Sequence, residues 1–330
     1  MAKFRNILVT GGAGYIGSHT VKELGERGCK VFTIDNLSRG HKKAVTTGSF
    51  TKLDLSDKQG LDSFFKSRKI DAVVHFAAFA YVAESIADPL LYYRNNFVNT
   101  LNLLEASRKH GVRRIIFSSS CSTYGDNGRG KPITEAVPQA PINPYARSKY
   151  FSEQALFDMN RRYGLEFCVL RYFNAAGADV EGELGEDHRP EPHLIPIVLK
   201  AAAEKGTVSV LGADYPTPDG TCIRDYIHVN DLATAHAQAL ETPGAKNGIF
   251  NLGSGRGFSV LSIIKKCEEI TGNRIRIRAG ARRPGDPAVL VADNAKAKKS
   301  LKWTPRFSDI STVISTAWKW MNKNEDGYGD

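Results

Sequence analysis

The sequence predicts a doubly wound parallel α/β sheet joined to a smaller α/β lobe, on three observations. An apolar run, Ile7-Leu8-Val9, passes directly into a glycine-rich turn and then a helical stretch. Strand-like apolar runs then alternate with helix-like periodicities five times by residue 120. The runs are continuously apolar rather than alternating, as strands are when helices cover both faces of their sheet.

The first turn reads Thr10-Gly11-Gly12-Ala13-Gly14-Tyr15-Ile16-Gly17. Gly12, Gly14 and Gly17 have the spacing needed to turn the chain, to let backbone N–H groups approach a pyrophosphate, and to pack helix on strand. Gly11, Gly14 and Gly17 also satisfy the wider Gly-x-x-Gly-x-x-Gly form. The helix over 16–26 would point its N-terminal dipole at the phosphates. A tight turn without a ligand is the plainer reading, but the second strand, 30–34, ends in Asp35, 18 residues past Gly17. That carboxylate suits a ribose 2′-hydroxyl and would repel a 2′-phosphate, so a Rossmann-type NAD site is expected rather than an NADP site.

A loop over 36–43 leads to a short strand ending Leu53-Asp54-Leu55. Asp54 is read either as bordering an adenine pocket or as capping the next helix. The run Ala72-Val73-Val74-His75-Phe76-Ala77-Ala78 is expected to be a strand whose small final residues leave room for a cofactor, with His75 packed in the core. A helix over 95–110 precedes the strand 114–117, which runs into Ser118-Ser119-Ser120. Asn143-Pro144 supplies an N-cap and a first-turn proline for a helix through 163.

Near the start of that helix, Tyr145 and Lys149 stand at i and i+4, on one face. With 12 tyrosines and 45 Lys plus Arg in the chain, such a pair arises about once by chance, so its context carries the weight. The context is a cofactor fold ahead of it and a serine-tipped strand at the sheet's carboxyl edge. A phenol is a poor base at neutral pH, but an adjacent ammonium and a positive nicotinamide favour phenolate. Tyr145 is then the acid/base at a substrate hydroxyl, Ser120 holds that hydroxyl, and Lys149 tethers the nicotinamide ribose.

These residues, with Asp35-Asn36-Leu37, His75-Phe-Ala-Ala78, Tyr92-Tyr93-Arg-Asn-Asn96, Phe117-Ser-Ser-Ser120, Asn143-Pro-Tyr-Ala-Arg-Ser-Lys149 and Leu170-Arg-Tyr-Phe-Asn-Ala-Ala-Gly177, resemble the extended short-chain dehydrogenase/reductase family, specifically its UDP-glucose (UDP-galactose) 4-epimerases. Leu184-Gly-Glu-Asp-His188, the stretch from Asp219 to Val229, and Arg282-Arg-Pro-Gly-Asp286 resemble that family's substrate-domain motifs. The resemblance implies NAD as a catalytic cofactor, with hydride leaving and returning at C4 of a UDP-hexose. It also implies a homodimer through the helices around 95–110 and 144–163. By resemblance, Tyr15, Ile16, Asp54, Leu55, Phe76, Ala77, Ala78, Asn95 and Phe173 line the cofactor. Asn174, Arg224, Tyr226, Arg283 and Asp286 hold the nucleotide sugar; guanidinium suits its diphosphate because it can bind bidentately.

Relatives restricted to plain hexoses tend to carry tyrosine where this chain has Leu290, so tolerance of N-acetylated UDP-hexosamines is expected. A UDP-pentose 4-epimerase remains an alternative reading. A sugar-nucleotide dehydratase needs an Asp-Glu pair where this chain has Cys121-Ser122, and a non-catalytic NAD-binding regulator has no use for Ser120, Tyr145 and Lys149.

The domain expectation is an NAD-binding domain over 1–174 with a return segment about 227–252, and a mainly UDP-sugar-binding domain over 175–330. In that second part, helices are expected over 194–205, 231–240 and 260–271, a strand over 249–253, and packing tryptophans on a final helix. A chain of 330 residues, 42% hydrophobic, can bury cores of that size. Five scattered cysteines without a Cys-x-x-Cys pair suggest neither a disulfide frame nor a metal site, and fit a cytoplasmic protein. The net charge of +10 is spread without a five-residue basic block, so no nucleic-acid partner is expected. No apolar run reaches the roughly 18 residues of a membrane span, and the start of the chain has no signal-type apolar region.

Overall fold

The computed structural model describes residues 4–126, 130–282 and 286–329. Its first half alternates strand and helix: β1 (Asn6–Thr10), α1 (Tyr15–Glu26), β2 (Lys30–Asp35), β3 (Ser49–Lys52), α2 (Lys58–Lys66) and β4 (Ala72–His75). Short helices α3 (Val82–Ala87) and α4 (Pro89–Tyr92) lead through a π-helical turn, Tyr93–Val98, into α5 (Asn99–Lys109) and β5 (Arg114–Ser120). Helix α6 (Pro144–Tyr163) begins where Asn143 Oδ1 accepts from Ala146 N at 2.9 Å, and ends at Gly164 in the left-handed region. Strand β6 (Glu166–Tyr172) follows.

The second half contains β7 (Asn174–Ala176), α7 (Leu194–Ala203), β8 (Thr207–Leu211), β9 (Ile223–His228), α8 (Val229–Glu241) and β10 (Gly248–Leu252). It closes with β11 (Gly257–Ser259), α9 (Val260–Thr271), β12 (Arg276–Gly280), β13 (Val289–Leu290), α10 (Ala295–Leu301) and α11 (Ile310–Lys323).

Seven parallel strands form the main sheet in the order β10-β6-β5-β4-β1-β2-β3. The order reverses between β1 and β4, and a doubly wound sheet binds ligands at that reversal, beyond the strands' carboxyl ends. One face is covered by α1 and α8, with Val9, Val21, Leu24, Val74, Leu232 and Trp303 in its core. On the other, Leu61, Phe65, Leu103, Leu104 and Leu156 pack against Leu8, Val73 and Ile115. Burial on both faces is why the strands read as unbroken apolar runs.

Two strands are shorter than expected. The fourth stops at His75 because Phe76 N and Ala77 N both donate to the Thr10 carbonyl, at 2.8 and 3.0 Å, so the chain leaves the ladder over Gly11. The third stops at Lys52. Leu53 N makes one last bond to the Asp35 carbonyl at 3.1 Å, and Asp54 then turns the chain by accepting from Ser56 N at 2.7 Å.

In the second half, β9 pairs with β7, β11 and β13 in a four-stranded sheet, and β12 pairs with β8. Ile227 and His228 still belong to that smaller sheet, opposite Ala175 and Ala176. The chain then rejoins the large sheet's layers, with α8 against α1 and β10 beside β6. Helices α7, α9 and α11 enclose a separate core containing Ile195, Val198, Ile263, Val313 and Tyr226. Among the described residues, no helix is long and apolar enough to cross a membrane.

Candidate active site

The glycine-rich turn is built for close backbone approach. Gly11 has φ +72°, and a Cβ there would lie 2.5 Å from Ala77 N. A Cβ on Gly17 would run into the Gly11 carbonyl oxygen, and Gly14 N donates to that same oxygen at 3.2 Å. Asp35, at the end of the adjacent strand, accepts from Ala13 N at 3.1 Å and from Leu37 N at 2.8 Å, which holds Leu37 at φ +60°. These bonds offset the burial that pushes the Asp35 carboxyl up. The turn therefore brings close-packed backbone to a helix N-terminus, with a carboxylate one strand away, and this set fits a dinucleotide with an unphosphorylated ribose.

Asp54 does not cap helix α2, because Asp57 does, accepting from Gly60 N at 2.8 Å. Asp54 instead accepts from Asn36 Nδ2 at 2.6 Å, joining the loops after β2 and β3. Leu55 packs in the core with Leu8, Ile34 and Leu61. Tyr15 reaches out of α1 to donate to the Gly177 carbonyl at 2.5 Å, while Ile16 packs against the core. Phe76 packs against His236 with ring centroids 4.5 Å apart and planes tilted by 43°; Ala77 and Ala78 lie beside it, half-buried. His75 is a core histidine, bonded to Thr10 Oγ1 at 2.7 Å and Thr100 Oγ1 at 2.8 Å.

Ser120 closes β5, and Tyr145 and Lys149 face it from the first turns of α6. All three are buried. Ser120 Oγ accepts from Ser122 N and Ser122 Oγ at 3.2 and 2.9 Å. Lys149 Nζ donates to the Ser118 carbonyl at 2.8 Å and lies over the Phe117 ring at 5.1 Å. Burial pushes the Tyr145 phenol up to about 12, against a smaller pull from its hydrogen bond with Ser120. Burial also pushes Lys149 down to about 7, partly opposed by Glu153. Desolvation is the largest influence on both groups.

Beneath Lys149 lies a network that sequence reasoning missed. Glu153, one helical turn further on, accepts from Arg171 Nε at 3.0 Å and Nη2 at 2.5 Å, and from Gln139 and Ser119. Arg171 continues to the Tyr124 hydroxyl at 2.9 Å, and Tyr124 to Asn251 at 2.7 Å. Asn96 was also missed. Its side chain bonds both the N–H and the carbonyl of Phe79 and reaches Ser148 Oγ at 3.1 Å; Asn95 donates to it at 2.9 Å. It sits on the π-helical turn, a distortion frequent at functional sites but without a periodic signature in sequence.

On the far side of Ser120, Leu290 and Phe173 pack with Cys121, Tyr124 and Ile133. Leu290 pairs in register with Arg224, whose guanidinium meets Asp286 Oδ1 at 2.5 Å. Asn174 donates to the Asp225 carbonyl at 2.8 Å. Tyr226 packs in the core beside α7 and α9. Arg283 lies outside the described residues.

The model of the NAD dependent epimerase/dehydratase family matches residues 7–253. The chain belongs to that family. Among its relatives, the UDP-glucose 4-epimerase of Halalkalibacterium halodurans is 47% identical, with 98% of this chain and 97% of that protein covered. The UDP-glucose 4-epimerase from Brucella ovis in complex with NAD superposes with a TM-score of 0.92 at 49% identity, covering 95% and 97% of the two chains. That from Bifidobacterium longum in complex with NAD+ and UDP gives 0.92 at 40% identity, covering 98% and 99%. Within this epimerase/dehydratase family the glycine turn and the Ser120-Tyr145-Lys149 cluster form the candidate active site.

Proposed function

We propose that the chain interconverts UDP-glucose and UDP-galactose by oxidation and re-reduction at C4 through a 4-keto intermediate. The observation that carries this reading is the convergence of Ser120, Tyr145 and Lys149 at the carboxyl edge of the sheet, beside the glycine turn. The turn, Asp35, Asn36 and Leu37, together with Asn95 and Phe173, would hold NAD. Bound NAD supplies a hydride acceptor and donor, and a positive charge that favours phenolate.

Ser120 holds the C4 hydroxyl. Tyr145 takes its proton as the hydroxyl becomes carbonyl, and returns it to the same oxygen when the carbonyl is reduced. Because Lys149 lies one helical turn away, its charge state and that of the phenol are coupled. Arg224, Asp286 and Asn174 bind the nucleotide, and the aliphatic wall at Leu290 leaves volume beside C2 for an N-acetyl group. Residues 1–174 with the α8–β10 return serve the cofactor, and most of the remainder serves the UDP-sugar. Leu90, Val98, Leu101 and Phe151 leave an exposed apolar surface on α4, the π-helical turn, α5 and α6, and this supports a homodimer through those elements. None of the five cysteines is in a disulfide among the described residues, and this fits a cytoplasmic setting.

The test is incubation with UDP-galactose or UDP-glucose separately, with the products resolved chromatographically. Each should yield the other, and the denatured protein should release NAD. Absence of both products would reject the assignment.

A further inference from the structure

We propose that Glu186, His188, Glu191 and His193 form a binding site for one divalent transition-metal cation of the zinc class. Two carboxylates and two imidazoles alternate around a closed ring. Glu186 Oε1 lies 2.6 Å from His193 Nδ1 and 3.1 Å from His188 Nδ1. Glu191 closes it with Oε1 at 3.0 Å from His193 Nδ1 and Oε2 at 3.5 Å from His188 Nδ1. One donor atom from each of the four residues lies within 4.8 Å of all the others. A tetrahedral zinc ion with bonds of about 2.0–2.1 Å has donor–donor edges of about 3.3–3.4 Å, so the sides of 2.6, 3.0 and 3.1 Å would open by a few tenths of an ångström or more to admit it.

A second observation points the same way. The Glu186 side chain is only 6% exposed, yet its Oε1 has no aligned hydrogen-bond partner, and neither does the buried His188 Nδ1. The two atoms lie 3.1 Å apart as an ion pair without hydrogen-bond alignment, and buried polar atoms left in that state call for an ion or water. The outer partners are also in place. His193 N donates to Glu191 Oε1 at 2.8 Å, and the rings of Tyr15 and Tyr81 stand edge-on to His188, fixing its orientation.

The donor set, two nitrogens and two oxygens without thiolate, suits zinc or cobalt. Two carboxylates balance a divalent charge when both imidazoles are neutral. The nearby trio Asp179, Glu181 and Glu183 is different, because the Lys22 ammonium already occupies its centre at 2.9–3.1 Å. A cation in the ring would pin the loop after β7 to the N-cap of α7, against the tyrosine that follows the glycine turn.

The test reads metal binding and no activity. The full chain, stripped with chelator and dialysed, is titrated calorimetrically with zinc chloride, and separately with cobalt(II) as a visible-absorption probe. The expected result is one saturable cation per chain, with a tetrahedral cobalt spectrum lacking a thiolate charge-transfer band. Glu186→Gln and His188→Ala should each weaken binding by at least about tenfold, whereas Glu183→Gln should not. His193→Ala, at a half-exposed side chain, carries the test should Glu186→Gln fail to fold. Absence of saturable binding, or binding unchanged in both histidine variants, would overturn the proposal.

Discussion

Lys149 Nζ donates to the Ser118 carbonyl at 2.8 Å, tying helix α6 to strand β5 two residues before Ser120. The bond sets the proton-transfer group of the helix against the serine of the strand without using the Tyr145 oxygen. Tyr145→Phe should then leave the fold and bound NAD intact while lowering turnover by about two or more decades. Steady-state rates, with NAD measured after denaturation, check this. Near-normal turnover would remove Tyr145 from its proposed role.

Glu153 and Arg171 are a fully buried pair, and deleting one partner strands the other charge in a low-dielectric core. Glu153→Ala should cost about 3–5 kcal/mol in urea unfolding. Glu153→Leu combined with Arg171→Met should recover much of that loss. A single variant as stable as wild type would show that the pair does not support α6.

Gly17→Ala places a methyl group against the Gly11 carbonyl, and that backbone atom cannot give way cheaply. The expected outcome is a purified protein with little or no bound NAD. Retention of NAD at the wild-type ratio would contradict the close approach of backbone at this turn.

Leu290→Tyr should leave UDP-galactose turnover within a few-fold of wild type and abolish conversion of UDP-N-acetylglucosamine, because the added ring fills the volume beside C2. The two substrates are compared on one preparation. Equal loss on both, or on neither, would make Leu290 a wall without selectivity.

Burial lowers His236 to about 4 and His75 to about 3. In the unfolded chain these groups take up protons near pH 6.5, whereas the native state resists. Stability is therefore present above pH 6.5 and is lost as pH falls toward 4. His236→Gln should make that decline shallower by up to about 1.4 kcal/mol per pH unit, read from urea unfolding between pH 6.5 and 4.5. Parallel pH curves for the two proteins would rule out the linkage.

The parallel sheet and its glycine turn were legible in the sequence because their signals are local. Continuous apolar runs report burial on both faces, Gly11 and Gly17 report backbone approach, and Asn143-Pro144 marks the start of a helix within a few residues. Ser120, Tyr145 and Lys149 could be named because each stands at the end or first turn of such an element. Tertiary structure alone decided the rest. The charge states of Tyr145 and Lys149 depend on how completely the fold removes water from them. The Glu153–Arg171–Tyr124 network and the Glu186–His193 ring depend on which atoms of separate segments are brought within bonding distance. Periodicity and spacing describe one segment at a time, whereas desolvation and juxtaposition arise only when segments pack.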